Sequence, residues 1–281
     1  MEVITTAYGL SKALAPHQKL GASVGFVPTM GALHHGHYSL VAKACSENEV
    51  VVVSIFVNPT QFNNAEDLEK YPRTLTADAA LLADLPVNYI YCPMVPELYP
   101  EWPTVAHLPF DFEGLDQVME GAHRAGHFQG VVTVVSRLFD QVQPTHAYFG
   151  EKDFQQLAII RSMVHKMRMP VQIVACPTLR ETDGLAMSSR NVRLTSAGRT
   201  LAASIYSSMR FCKVQIESQQ SMLEAINQSK QYLAAQQLTI SYFTVVDDRT
   251  LKEATTYQPH LRIFAACIID GVRLIDNMAI V

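Results

Sequence analysis

No block of like charge appears in this sequence: 22 Lys and Arg stand against 26 Asp and Glu, giving a net charge of −4 and a pI near 6.2. Coating a nucleic acid or lying on an anionic membrane surface requires a basic face, so neither partner is expected. Long apolar runs are missing too. The most hydrophobic stretch, Val50 to Val57, is far too short for a bilayer span and contains Ser54. Residues 1–20 show no basic segment followed by an apolar one, so no secretion signal is read. Cysteine is sparse: Cys45, Cys92, Cys176, Cys212 and Cys267 are scattered without a C-x-x-C pair. That spacing argues against a zinc site or disulfide framework and for reduced thiols in the cytoplasm. Internal repeats and low-complexity segments are absent.

Apolar residues make up 48% of the chain and charged residues 17%, the balance of a globular protein. At 281 residues the length suits one large domain or two modest ones.

The chain is organised around residues 25–37, Gly-Phe-Val-Pro-Thr-Met-Gly-Ala-Leu-His-His-Gly-His. The apolar segment Val24 to Val27 runs into Pro28, which is expected to end a strand, then into Gly31 and Gly36, which permit sharp turns. From His35 onward Leu40, Val41 and Ala44 recur at helical spacing. His34 and His37 therefore fall at a helix start, where backbone N–H groups attract phosphates. Either histidine alone reads as an ordinary polar residue; the pair bracketing a glycine after Pro-Thr-Met-Gly reads as a nucleotide site.

Val50 to Val57 has the β-branched character of a parallel strand buried on both faces, and it empties into Asn58-Pro-Thr-Gln-Phe62. A helix is expected around Leu75–Leu85, a strand over Val87–Cys92, and irregular chain over 93–130. His123 and His127 lie four apart among glycines, which weakens a metal reading; Arg124 between them is as suited to a solvated loop as to a carboxylate or phosphate. A helical pattern follows over Val131–Val142, then a strand over Thr145–Phe149 and the loop Gly150-Glu-Lys-Asp153. Asp153 and Gln156 fit a helix cap with its capping-box partner as well as they fit ligand contacts. Lys152, just ahead of a helix start, suits a phosphate contact better than a cap. Val171–Ala175 is expected to close the sheet. The aperiodic stretch 180–191 ends in Ser188-Ser-Arg-Asn191, two hydroxyls and a planar cation in succession.

Strand–helix alternation predicts an α/β fold: a Rossmann-like nucleotide-binding domain with a parallel sheet over 1–176. Beyond it come two helical patterns (196–215 and 219–235), an alternating strand at 239–246, and the hairpin signal Asp270-Gly271. This second, smaller α+β domain, 177–281, is expected to close over the site of the first.

Walker, dinucleotide, zinc-protease and nucleophile-elbow signatures are all absent. What remains is the histidine–glycine–histidine kind of nucleotide site. Pro-Thr-Met-Gly-Ala-Leu-His-x-Gly-His, Ser-Ile-Phe-Val-Asn-Pro-Thr-Gln-Phe, Tyr-Pro-Arg-Thr, Phe-Gly-Glu-Lys-Asp-Phe-Gln-Gln and Gly-Leu-Ala-Met-Ser-Ser-Arg-Asn occur in that order over residues 25–191. Together they resemble the pantoate–β-alanine ligase family of the HxGH nucleotidyltransferase superfamily, and Leu274-Ile-Asp-Asn277 extends the likeness toward the carboxyl end.

The resemblance implies ATP-dependent condensation of pantoate with β-alanine to pantothenate, AMP and pyrophosphate, through a pantoyl adenylate. It implies that Met30, Gly31, Ala32, Leu33, His34, His35, Gly36 and His37 line the ATP site. Gly150, Glu151, Lys152, Asp153, Leu179, Met187, Ser188, Ser189 and Arg190 would line it as well. Within that set His34, His37, Lys152, Ser188, Ser189 and Arg190 would serve catalysis. Gln61 and Gln156 would bind pantoate, with Asn58 and Arg124 as further substrate contacts; Mg²⁺ would accompany ATP, with Asp78 matching one acidic position. The resemblance also suggests a homodimer, in the cytoplasm that the scattered thiols already point to. His35 stands where glutamate is common, Ala125 where proline is usual and Leu179 where valine is typical; none of these removes a needed group. Two other readings are a transferase moving a nucleotide onto a phosphate and a non-catalytic nucleotide-binding module. Neutral Gln61 and Gln156 argue against the first, and retention of His34, His37, Lys152 and Arg190 argues against the second.

Overall fold

The apolar runs that punctuate the first half of the chain become the strands of one parallel sheet. In a computed structural model describing residues 1–62 and 65–280, the elements through residue 176 alternate. They run β1 (Glu2–Ile4), α1 (Ala7–Lys19), β2 (Val24–Thr29), α2 (His35–Glu47), β3 (Val50–Ile55), α3 (Ala65–Glu69), α4 (Leu75–Leu81) and β4 (Tyr89–Tyr91). There follow α5 (Val95–Leu98), α6 (Met119–His123), α7 (His127–Val142), β5 (His146–Gly150), α8 (Phe154–Lys166) and β6 (Gln172–Cys176). Strand order is β1-β4-β3-β2-β5-β6, and every pairing is parallel. From β2 the chain builds outward through β3 and β4 on one side, then returns to add β5 and β6 on the other. The direction of winding therefore reverses between β2 and β5, and the crevice beyond the carboxyl ends of those strands is where such sheets bind ligands.

Burial on both faces explains the near-continuous hydrophobicity of β2 and β3. On one face Val27, Val51, Val53 and Ile90 pack with Val41 and Ala44 of α2 and with Leu82. On the other, Phe26 meets Phe139 of α7 edge to face, with centroids 6.2 Å apart.

Pro28 was expected to end β2, yet the strand continues through it to Thr29, in register with Ser54 and Ile55. Val24 exchanges its N–H and C=O with Thr145 on the β5 side, so by alternation Pro28 also faces that side. Pairing with β5 runs only to Phe26, so the N–H that Pro28 lacks is not required. The 93–130 stretch is likewise less irregular than expected: α5 and α6 lie within it, and α7 begins at His127 instead of residue 131. Gly126, at φ +77°, separates His123 at the end of α6 from His127 at the start of α7.

A second compact unit comprises Thr178–Val281 together with the short segment Lys152–Gln155; the first comprises Met1–Glu151 and Gln156–Pro177. The second unit has α9 (Ser196–Glu217), α10 (Met222–Ala235) and a three-stranded antiparallel sheet, β7 (Thr239–Asp247), β8 (Leu261–Ile269) and β9 (Val272–Ile280). Ile205, Met209 and Cys212 of α9 and Leu233 of α10 pack on Phe243, Ile263, Ala265 and Leu274. The β8–β9 turn is formed by Asp270 and Gly271, both at positive φ (53° and 74°), as the two-residue hairpin signal requires. No helix among the described residues is long and apolar enough to cross a membrane.

Candidate active site

Where β2 ends, Thr29 Oγ1 donates to the Ser54 carbonyl at 2.7 Å and accepts from the Gly31 N–H at 3.2 Å. Gly31 (φ 79°) and Ala32 (φ 50°) then turn through the left-handed region in succession. A Cβ at Gly31 would sit 3.0 Å from the Ile55 side chain and 3.1 Å from Asp78 Oδ2. Ala32 bears strain that a glycine would not. A buried carboxylate holds this turn: Asp78, 2% exposed, accepts from Ala32 N–H (3.2 Å) and Leu33 N–H (2.8 Å), while the Thr74 hydroxyl donates to it at 3.1 Å. Both Asp78 oxygens thus face protein donors. Among the described residues no group of three or more His, Cys, Asp or Glu side chains is arranged to hold a metal ion.

His34 caps α2. Its Nδ1 accepts the Gly36 N–H at 3.1 Å, and His37 Nδ1 accepts the His34 N–H at 3.4 Å, a reciprocal capping box built from two imidazoles. A ring nitrogen that accepts carries no proton, so each neutral imidazole has its N–H at Nε2. The two rings lie 4.1 Å apart. The Met30–His37 turn therefore combines paired imidazole donors with the N-terminus of a 13-residue helix, an anion-binding arrangement.

β3 empties into a single 3₁₀ turn, Pro59–Gln61, capped by Asn58. Asn58 Nδ2 donates to Gln61 Oε1 at 3.0 Å and to the Gly130 carbonyl at 3.2 Å. Its Oδ1 accepts from the Thr60 N–H (3.3 Å), the Thr60 hydroxyl (3.0 Å) and the Tyr99 hydroxyl (2.8 Å). Burial pushes the Tyr99 phenol up to about 12, which keeps it a donor at any ordinary pH. Gln61 Nε2 lies 2.9 Å from Met30 Sδ, bringing the expected pantoate-binding amide against the nucleotide loop. His127 Nδ1 is 3.0 Å from the Gln61 carbonyl. A carbonyl only accepts, so Nδ1 carries the proton and Nε2 accepts from Arg124 Nη1 at 3.0 Å. Packing of α7 on this turn requires Gly130, where a Cβ would meet the Thr60 carbonyl oxygen at 2.5 Å. Gly150 ends β5, Glu151 opens the 3₁₀ turn Glu151–Asp153 that follows, and Gln156 lies half-buried in the first turn of α8.

In the second unit, β9 fixes two of the expected phosphate-binding segments through adjacent residues. Asp276, 4% exposed, takes both Arg180 nitrogens at 2.6 and 3.0 Å, and the guanidinium lies 4.3 Å from the Tyr206 ring centre. Arg180 opens the loop that leads through the Met187 N–H to Leu179 carbonyl bond (3.0 Å) into the Ser-Ser-Arg turn. There Ser188 Oγ accepts the Arg190 N–H at 3.2 Å, and the Ser188 carbonyl accepts the Asn191 N–H at 3.0 Å; Ser189 lies between them. Next to Asp276, Asn277 Nδ2 donates to the Lys152 carbonyl at 2.9 Å. Arg262 lies 3.8 Å above the Phe154 ring, and Lys152 Nζ is 3.7 Å from the Asp153 carboxylate.

Sequence reasoning did not find Tyr99, the Asp78 contacts with the loop, or the link from Arg124 through His127 to Gln61. The spacing of His127 from His123 in the sequence does not point to a contact with Gln61.

A sequence model of pantoate-beta-alanine ligase matches residues 2–279. The pantothenate synthetase of Cytophaga hutchinsonii is 45% identical over 283 aligned residues, covering 99% of both chains. That of Bacteroides thetaiotaomicron is 47% identical over 286, covering 99% of this chain and 98% of its own. Among solved structures, the Thermus thermophilus pantothenate synthetase superposes with a TM-score of 0.94 at 42% identity, covering 100% of this chain and 99% of that one. The Francisella tularensis pantoate-beta-alanine ligase, complexed with beta-gamma ATP and beta-alanine, superposes at 0.80 and 36% identity, covering 99% and 97%.

Proposed function

Because the chain belongs to the pantoate-beta-alanine ligase family, we propose that it condenses pantoate with β-alanine, using ATP, to give pantothenate, AMP and pyrophosphate. The observation that carries this reading is the approach of Gln61 Nε2 to Met30 Sδ, 2.9 Å, which joins the acid-binding amide to the nucleotide loop.

In the first step a pantoate carboxylate oxygen attacks the α-phosphorus, and the bond to the β,γ-pyrophosphate breaks. Two anions must meet, so the barrier is lowered by donors already aimed at the phosphate oxygens. His34 and His37 are assigned to that task through their Nε2 protons, with His37 toward the departing pyrophosphate. Lys152, Ser188, Ser189 and Arg190 are assigned to the same step as further donors. Met30 to Gly36, Gly150, Glu151, Asp153, Leu179 and Met187 are assigned to ATP. Gln61 and Gln156 hold pantoate, and neutral amides do so without adding repulsion. Arg124 is assigned to a substrate carboxylate. In the second step the free amine of β-alanine attacks the acyl carbon, the acyl–phosphate bond breaks, AMP leaves and the nitrogen loses a proton. No group of the chain need form a covalent intermediate.

Magnesium is assigned to the phosphates of ATP. Asp78 does not suit a ligand role, since both its oxygens face protein donors. We further propose a cytoplasmic homodimer. All five cysteines are free thiols, which supports a reducing compartment.

ATP–pyrophosphate exchange that requires pantoate but not β-alanine tests the function directly. Exchange supported equally by a phosphorylated acceptor would replace this reading with a nucleotidyltransferase.

A further inference from the structure

The side-chain polar atoms of Asn58 are both engaged within the chain, although the residue sits in the turn expected to contact substrate. Its side-chain amide has two N–H groups, and both have acceptors: Gln61 Oε1 and the Gly130 carbonyl. Its Oδ1 faces three donors, from Thr60 and Tyr99. Two of these five partners leave no choice of direction, because the Thr60 N–H can only donate and the Gly130 carbonyl can only accept. The Asn58 amide is therefore fixed with nitrogen toward Gln61. The Tyr99 hydroxyl, buried with the rest of its ring, closes the same arrangement from a segment 41 positions away.

The consequence falls on Gln61. Its Oε1 is occupied by Asn58, so its Nε2 is the atom left to face the site, beside the weak acceptor Met30 Sδ at 2.9 Å. We propose that Asn58 and Tyr99 are positioning residues: they lock the Gln61 amide with its N–H groups presented, so that Gln61 recognises pantoate as a hydrogen-bond acceptor. This rests on the assignment of Gln61 to pantoate. A carboxylate or hydroxyl oxygen of the acid satisfies the locked amide, whereas an ammonium group in that position does not. His127, holding the Gln61 backbone carbonyl, fixes the main chain while Asn58 fixes the side chain.

A double-mutant cycle on the full chain, read as KM and kcat in pantoate-dependent ATP–pyrophosphate exchange, tests the assignment. Tyr99→Phe removes one hydrogen bond and keeps the ring; it is expected to raise the pantoate KM about fivefold, with the ATP KM changed less than about twofold. Asn58→Ala is expected to raise the pantoate KM by about tenfold or more. In a Gln61→Ala background either substitution is expected to add less than about twofold, because the group being oriented is gone. Should each retain its full effect in that background, Asn58 and Tyr99 act on the fold or on substrate directly and the proposal is overturned. Tyr99→Phe and Gln61→Ala complete a cycle of their own should Asn58→Ala fail to fold. If Gln61→Ala alone leaves the pantoate KM unchanged, the assignment of Gln61 to pantoate falls, and this inference with it; a raised KM without coupling removes this inference only.

Discussion

Asn277 donates its side-chain N–H to the backbone carbonyl of Lys152, 125 positions earlier in the chain, at 2.9 Å. Its neighbour Asp276 holds Arg180, the residue that opens the loop to Ser188, Ser189 and Arg190. One strand, β9, thus sets the backbone of a lysine and the root of a hydroxyl-and-cation turn. The Leu274-Ile-Asp-Asn277 motif thereby gains a physical purpose, although none of its side chains is assigned to a substrate.

Replacing Lys152 with alanine is expected to lower the rate of exchange by about 10²–10³-fold, the usual loss for one donor to a developing charge. Asn277→Ala leaves the lysine in place but frees its backbone. A smaller fall of about tenfold is expected, with pantoate KM unaltered. Single-turnover measurement of adenylate formation separates the two, and wild-type kinetics in Asn277→Ala would deny the contact a functional role.

Asp78 is a loop anchor, and its removal is expected to behave accordingly. Asp78→Ala strands the part-buried Ala32 and Leu33 N–H groups, costing about 2–3 kcal/mol of stability. The HxGH turn loses its shape, so exchange slows. The magnesium concentration giving half-maximal exchange is expected to stay as in the wild type. A large increase in that concentration would restore Asp78 as a metal contact.

Much of this architecture was legible in the sequence because it rests on local patterns. Val50 to Val57 reads as a buried strand, His34 to His37 as a helix start, and Asp270-Gly271 as a hairpin turn, each from neighbours a few positions away. What could not be read depends on distant partners. Lys152–Gln155 spans the passage from β5 into the first turn of α8, yet it belongs to the second unit, where Asn277 and Arg262 hold it. Tyr99 carries no motif, and its role follows only from a hydroxyl that meets Asn58. Pro28 continues β2 because pairing with β5 has already stopped, a property of the neighbouring strand.

Gly130 provides a test of the packing beneath the site. In Gly130→Ala the new methyl group would meet the Thr60 carbonyl oxygen at 2.5 Å, backbone that has little room to retreat. Either α7 or the Asn58–Gln61 turn must shift. A loss of about 1–3 kcal/mol is expected in denaturant unfolding, together with a raised pantoate KM. Unchanged stability would mean that α7 can move away freely.

The acid side of the stability curve should report on Glu101. Its carboxylate pairs with the Arg137 guanidinium, which itself lies 4.7 Å from the Tyr99 ring centre, and the pairing holds Glu101 down at about 2 from an ordinary 4.5. A carboxyl with a lower pKa folded than unfolded stabilises the native state above its unfolded value and loses that contribution as pH falls through its folded value. The contribution of the pair is thus expected to be whole above pH 5 and to decline between about pH 4.5 and pH 2. Glu101→Gln removes the titrating group. Its unfolding midpoint should lie below that of the wild type at pH 6, and the gap should close progressively toward pH 2. Asp247, held at about 2 by Arg249, titrates over a similar range and remains in both proteins, so the difference between them isolates Glu101. A gap of constant size across this range would show that the glutamine has changed packing instead of charge.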